Sequence, residues 1–314
     1  MPVPKLTIEK EGTIEAPEVV RLAEPFGCAL TVDVEEWYHT CLMPDYVHPE
    51  ERPALPQELD WLLPQLLEML HEARCSATFF VLGEVAERLP RRIRQIAEAG
   101  HEVASHGYLH LRAGERSPQA FLGDLRRAKA LLEDLVGEPV QGFRAPEWSL
   151  RSLDSAWLPK VAEAGYLYDS SLNPCVFSGR ATNPRFACRL LLKGSGPRRE
   201  LLEFPPLTFN GPLRLPAGSW PGRLANPERL VRVTQEHIDQ GGLPLAVVHP
   251  WEVSGLPTPG PLTGIARFVH ETGRLGFRER FRRWLGAFRW TSVRDAAGLE
   301  QEYTEQATAS RRAG

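Results

Sequence analysis

Five short segments carry side chains able to do chemistry. Thr31-Val32-Asp33-Val34-Glu35-Glu36-Trp37 sets two acids two residues apart. In an extended chain alternate side chains share a face, so Asp33 and Glu35 point together and Glu36 points away. Such a pair can divide labour as proton acceptor and metal ligand. Acids at a strand end are equally often just solvated. Ser105-His106-Gly107-Tyr108-Leu109-His110 holds two histidines four apart, which share a face where the backbone is helical. That spacing is a common way to offer two imidazoles to one divalent cation, and it also describes a pair of exposed loop histidines. With Glu35 it makes a two-histidine, one-carboxylate set that leaves positions open for water and substrate. In Gly142-Phe143-Arg144-Ala145-Pro146-Glu147-Trp148 the guanidinium of Arg144 can clasp a carboxylate such as Asp33, or lie on the surface. Tyr168-Asp169-Ser170-Ser171 is an acidic strand end or a turn. Val247-Val248-His249-Pro250-Trp251-Glu252 places a histidine at a strand tip, fixed by the next proline. It is a candidate acid or a satisfied core histidine.

The elements that must position these segments follow from apolar runs. Buried strands are predicted at 28–34, 77–82, 102–105, 140–144, 166–169, 201–204 and 245–248. Helices are predicted at 58–73, 91–99, 117–136, 153–164, 227–240, 261–271 and 277–286, with a last short strand near 288–293. Strands that are nearly continuous apolar runs, alternating with helices, argue for parallel strands covered by helices. All five segments fall at predicted strand ends, where barrels and open α/β sheets hold their sites. Residues 175–200, rich in Arg and Gly, break the rhythm and read as an excursion or lid. Residues 1–24 read as a tail and 301–314 as a frayed end, with no domain boundary between 25 and 300.

Composition narrows the class. The 314 residues are 42% hydrophobic and 25% charged, which excludes a wholly disordered chain. A net charge of −3 argues against a nucleic-acid binder relying on a global basic field. Cys28, Cys41, Cys75, Cys175 and Cys188 form no CxxC pair and read as free thiols of a reducing compartment. No basic start followed by an apolar run opens the sequence, and the longest apolar runs are too short to span a bilayer. The expectation is a soluble, cytoplasmic protein with no transmembrane segment.

In order and spacing, the five segments together resemble the polysaccharide deacetylases of the NodB-homology family, carbohydrate esterase family 4. The resemblance runs from about Leu30 to Trp251. The forms D-V-E-E-W, S-H-G-Y-x-H, R-A-P-E-W-S, Y-D-S-S and H-P-W-E are similar to those of deacetylases found beside exosortase-linked exopolysaccharide loci, where a C-terminal extension like 255–300 is expected.

The resemblance implies an α/β fold, an irregular (β/α) barrel of about seven parallel strands with a C-terminal helical extension. It implies hydrolysis of an N-acetyl group on an amino sugar of an exopolysaccharide or cell-envelope precursor. It also implies a divalent metal, zinc first and cobalt, manganese or nickel as alternatives, held by Glu35, His106 and His110. Asp33 would be the base, oriented by Arg144. His249 would protonate the leaving amine with Asp169 as its partner. A backbone N–H near Glu147 would share the oxyanion, and Trp37, Glu147, Trp148 and Trp251 would meet the sugar. The partner is then an N-acetylated saccharide, and a cytoplasmic location points to a lipid-linked or nucleotide-linked precursor. Two departures stand out. Val34 separates the acids where many members have adjacent aspartates, and Ala145-Pro146-Glu147-Trp148 stands where many have Pro-Pro-Tyr. Two other readings are a cyclic-amide hydrolase of the allantoinase-like branch and a non-catalytic carbohydrate-binding or assembly protein. The latter would be expected to lose Asp33 or His249.

Overall fold

The computed structural model describes residues 15–22, 27–39, 47, 50–192, 199–260 and 262–299. The predicted tail at 301–314, most of the one at 1–24, and Cys41 lie outside the described residues. Among the described residues ten strands occur, β1 (Glu18–Arg21), β2 (Cys28–Val34), β3 (Thr78–Val81), β4 (Glu102–Ser105), β5 (Gly142–Phe143), β6 (Tyr168–Asp169), β7 (Cys188–Leu192), β8 (Arg199–Glu203), β9 (Leu245–Val248) and β10 (Trp290–Thr291).

Seven of them form the parallel arc β9-β2-β3-β4-β5-β6-β8. Between β8 and β9 no ladder forms. The ring is joined there by one backbone bond, from Leu207 N–H to the Leu245 carbonyl at 2.9 Å. The fold is thus the expected irregular (β/α) barrel, drawn together at one seam by a single strand-like contact.

Both faces of the arc are buried, which is why its strands read as unbroken apolar runs. Along β2 and β3, alternate residues Leu30, Val32, Val34, Phe79 and Val81 pack outward against helices through Leu63, Leu66 and Leu125. Ala29, Phe80, Ala104, Tyr168 and Phe204 fill the interior. The amino end of the barrel is plugged by the C-terminal extension. β10 pairs parallel with the start of β2, and Val293, Ala296 and Leu299 join the inner cluster. The 255–300 region is therefore part of the barrel's closure.

Register decides where the chemistry sits. Asp33 pairs with Phe80, Val81 with Ser105, Ser105 with Phe143, Phe143 with Asp169, and Asp169 with Glu203. Val32 pairs with Val248. Asp33, His106, Arg144 and His249 each follow one of these rungs at the carboxyl end of their strand, so one layer of the barrel gathers all four.

Three expectations change. Residues 18–21, read within the tail, form β1, an exposed edge strand antiparallel to β7. Residues 188–192 of the predicted excursion form β7, antiparallel to β8. The helix predicted at 153–164 is regular only over Leu158–Glu163. A helix at Gly83–Arg88 also precedes the one at Pro90–Glu98, because a proline is well placed in a first helical turn but interrupts a continuing one.

Candidate active site

Asp33 ends the inner face of β2. Its Oδ1 accepts from Arg144 Nη1 at 2.6 Å, with both side chains almost wholly buried. Arg144 spends its remaining donors on Thr31 Oγ1 at 2.9 Å, Ser170 Oγ at 2.9 Å and the Ser170 carbonyl at 3.3 Å. Its guanidinium lies 4.1 Å from the centre of the Phe80 ring. A planar cation fixed on every side holds its carboxylate partner in one orientation.

Two residues on, Glu35 Oε1 faces His106 Nε2 at 2.7 Å and His110 Nε2 at 3.1 Å. His106 Nδ1 lies 2.8 Å from the Arg144 carbonyl, which can only accept, so Nδ1 carries a proton. In the neutral ring, Nε2 is then a lone pair aimed at a carboxylate oxygen. Two acceptors at that distance need a positive charge between them, supplied by a proton or by a cation. This donor set, two imidazole nitrogens and one carboxylate oxygen all within 4.8 Å of one another, suits a divalent metal. Burial by itself would raise the Glu35 pKa, but the charge of His110 and the bonds from both histidines hold it well below the usual range.

The segment between the two histidines is not helical. Gly107 and His110 both have positive φ, +79° and +55°, and this turn brings the imidazole ring centres to 5.5 Å. A non-glycine residue there costs about 1–2 kcal/mol, which the surrounding contacts offset. His39, which the sequence reading passed over, stacks on His110 at 5.4 Å and its Nε2 lies 3.1 Å from Glu84. Burial lowers its pKa to about 4, so it is neutral, and its Nδ1 accepts the Glu36 N–H. Glu36 points away from Glu35 as expected. Its carboxylate takes the Glu58 and Leu59 N–H groups at the start of the 59–72 helix and an Arg88 guanidinium.

His249 Nε2 lies 4.0 Å from both Asp33 Oδ2 and Glu35 Oε2. Its other nitrogen, Nδ1, bonds Glu252 Oε2 at 2.9 Å, and Glu252 Oε1 accepts from the fully buried Arg223 at 2.7 Å. Burial opposes charge on His249, yet Glu252, helped by Glu35 and Asp33, raises its pKa to about 9. Trp251 lies flat between His249 at 5.1 Å and His270 at 4.2 Å.

The expected partnership of His249 with Asp169 does not occur. Asp169 Oδ1 accepts from Ser171 at 2.5 Å, and Ser171 Oγ in turn accepts the Ala145 N–H at 2.8 Å. Asp169 also bonds the Glu203 carboxyl. Its work is to fix the Arg144-Ala145 backbone. Two facing carboxyls share a proton: burial lifts Asp169 to about 6, and burial with the Asp169 charge lifts Glu203 well above the carboxylate range. Folded pKa values above the unfolded ones mean that this pair stabilises at low pH and loses that contribution as pH rises. Glu203→Gln keeps an acceptor for the Leu172 N–H and offers N–H to Asp169. It should therefore shrink the stability difference between ~pH 6 and ~pH 8 in urea unfolding. A wild-type pH slope in the variant would refute the shared proton.

A cavity of about 690 Å³ opens above Asp33, Glu35 and His249, walled by Glu147, Trp148 and Trp220. Trp148 and Trp251 line it as expected, and Glu147 does so while paired with Arg112 at 2.6 Å. Glu147 and Trp148 both have positive φ, +53° and +51°. Trp37 is not at the cavity. It is 1% exposed, donates to the Pro56 carbonyl at 2.8 Å and packs on Tyr38. The extension contributes Val269 and His270 to the wall.

The model of the family described as polysaccharide deacetylase matches residues 60–168. That stretch holds His106, His110 and Arg144. The match covers about a third of the chain, and over that stretch the chain is similar to the polysaccharide deacetylases. Among relatives of this family, a peptidoglycan deacetylase of Helicobacter pylori is 31% identical over 110 residues, 35% of this chain and 36% of the relative. A peptidoglycan-N-acetylglucosamine deacetylase of Bacillus cereus is 33% identical over 103 residues, 33% of this chain and 46% of the relative. The chain thus matches less than half the length of each. A crystal structure of a Mycobacterium smegmatis protein assigned to the polysaccharide deacetylases superposes with a TM-score of 0.55 at 24% identity, covering 86% of this chain and 87% of that one. It supports the barrel. Asp33, Glu35, Asp169 and His249 lie outside the segment matched by the polysaccharide deacetylase model. Among the described residues no helix is long and apolar enough to cross a membrane.

Proposed function

We propose that this chain is a polysaccharide deacetylase, a metal-dependent N-deacetylase of an amino-sugar-containing saccharide, an exopolysaccharide or cell-envelope precursor. One observation carries the reading. The Glu35, His106 and His110 set stands beside both a buried Asp33-Arg144 pair and a His249-Glu252 pair, under one cavity. Base, cation site and acid are the three parts amide hydrolysis needs.

A divalent cation, zinc by preference for two imidazoles and a carboxylate, would be held by Glu35, His106 and His110 and supply Lewis acidity toward the acetyl carbonyl and the attacking water. Asp33 takes the proton from that water through Oδ2, the oxygen that Arg144 does not occupy. Arg144 keeps Asp33 aimed. The backbone N–H of Glu147 helps to hold the oxyanion. His249, cationic because of Glu252, gives its Nε2 proton to the departing amine. The four buried, unpaired cysteines Cys28, Cys75, Cys175 and Cys188 fit a cytoplasmic setting, where a precursor is met before export.

The test is acetate release from N-acetylated oligosaccharides, with one primary amine expected per acetate. Ring opening of cyclic amides with no acetate from any N-acetylated saccharide would overturn the proposal in favour of the allantoinase-like reading.

A further inference from the structure

Beside the cavity mouth, the C-terminal extension exposes apolar side chains that no packing role explains. Leu275 is 88% exposed, Ile265 65%, and Phe268 and Leu224 each 56%. Ile265 and Phe268 are three apart on the Gly264–Glu271 helix and share its outer face. Phe268 sits edge-on to Trp220 at 6.2 Å, and Trp220 lines the cavity. At the far end of the Ser219–Arg223 helix, Arg280 binds the Arg223 carbonyl at 2.8 Å and the Gly273 carbonyl at 2.5 Å. That clamp sets the turns carrying Leu224 and Leu275 side by side. The exposed apolar residues therefore sit on elements that adjoin the cavity wall.

Its surroundings in sequence are rich in arginine. Residues 262–289 hold seven arginines against two glutamates, in a chain whose net charge is −3, with Arg274 buried beside Glu271. Arg282 and Arg283 are paired with Glu72 and Glu228, while Arg267 and Arg278, which flank the apolar residues in sequence, have no ion pair among the described residues. Aliphatic side chains such as Ile265, Leu224 and Leu275 offer no flat face to a sugar ring. Exposed aliphatic and aromatic groups bordered by arginine are instead what an interfacial surface presents to anionic lipid.

We infer that this rim docks the protein on an anionic membrane surface, with the cavity opening toward the headgroups. The docking stands on this geometry alone. Its consequence, that the saccharide reaches the site while attached to a lipid carrier in that membrane, rests on the deacetylase reading. Arg267 and Arg278 would meet their own copies across a symmetric contact, which disfavours a second copy of the chain as the occupant.

The test is flotation of the full chain with vesicles of phosphatidylcholine alone and with phosphatidylglycerol added. The protein should float with the anionic vesicles at ~0.1 M salt and be largely released at ~0.5 M. In the Ile265→Glu, Leu275→Glu double variant the bound fraction should fall roughly tenfold or more. Neither residue lines the cavity, so acetate release from a short soluble oligosaccharide should stay at the wild-type rate. Arg267→Glu with Arg278→Glu, a second variant, should remove the salt-sensitive part. Three results would overturn the inference: no flotation with anionic vesicles, flotation unchanged in both variants, or a solution dimer that the apolar variant dissociates. Failure of the deacetylase reading would show in the acetate assay alone and leave flotation intact.

Discussion

Asp33→Asn should keep the metal and lose about 10²–10⁴ in turnover, the usual worth of a positioned general base. The amide preserves the shape and can still face Arg144, but it cannot take a proton. Glu35, His106 and His110 remain to hold a cation. Glu35→Gln should do the reverse first, lowering metal content because an anionic ligand becomes neutral and loses its attraction for the cation. The two carboxylates are distinguished by their partners. Asp33 is bonded to a guanidinium, and Glu35 is bonded to two imidazoles. Metal analysis of both purified variants, with acetate release, checks the assignment. Metal lost from Asp33→Asn and retained in Glu35→Gln would reverse the two roles.

Glu252→Gln should move the alkaline limb of the activity profile and weaken the fold together. His249 owes its pKa of about 9 to Glu252 acting against burial. With the charge gone, burial dominates and the value falls to or below the ordinary imidazole range. A limb moving down by about two units leaves roughly a tenth or less of the protonated acid at ~pH 8. The same change leaves Arg223, fully buried, without its anion, at a cost of about 3–5 kcal/mol for a broken buried pair. In the wild type the sign of the linkage is fixed by the raised imidazole pKa. The stabilisation is fully present below the unfolded value near 6.5 and is lost as pH rises through about 9. A kcat profile and urea unfolding across that range test both halves. An unmoved alkaline limb would remove Glu252 from its positioning role.

Much of this was legible in the sequence because buried parallel strands are apolar on both faces and end where polar residues begin. Asp33, His106, Arg144 and His249 each follow such a run. Side-chain partnership was harder to read. Asp169 and Glu252 are both acids near strand ends, and only the fold shows that Asp169 turns to Ser171 and Glu203 while Glu252 reaches His249. A local signal for Glu252 did exist. His249 and Glu252 form a capping box around the Pro250–Glu252 turn, with the glutamate three residues on and bonded to the His249 N–H at 2.9 Å. Trp37 was misplaced because adjacency to Glu35 does not say to which side a ring turns, and Pro56 and Tyr38 hold it inward. β1 escaped notice because an exposed edge strand lacks the alternation that marks a half-buried one. The two histidines four apart could share a helix face or sit on a loop, and a turn with positive φ at Gly107 and His110 joins them, which sequence spacing cannot distinguish.

The most direct measurement is acetate release from an N-acetylated oligosaccharide by the full chain before chelation, after chelation, and after zinc is restored, beside His106→Ala treated alike. The account expects activity that disappears with the metal and returns with zinc, while His106→Ala neither retains metal nor recovers. Acetate release that survives complete metal removal, or a His106→Ala protein with full metal and full activity, would contradict it.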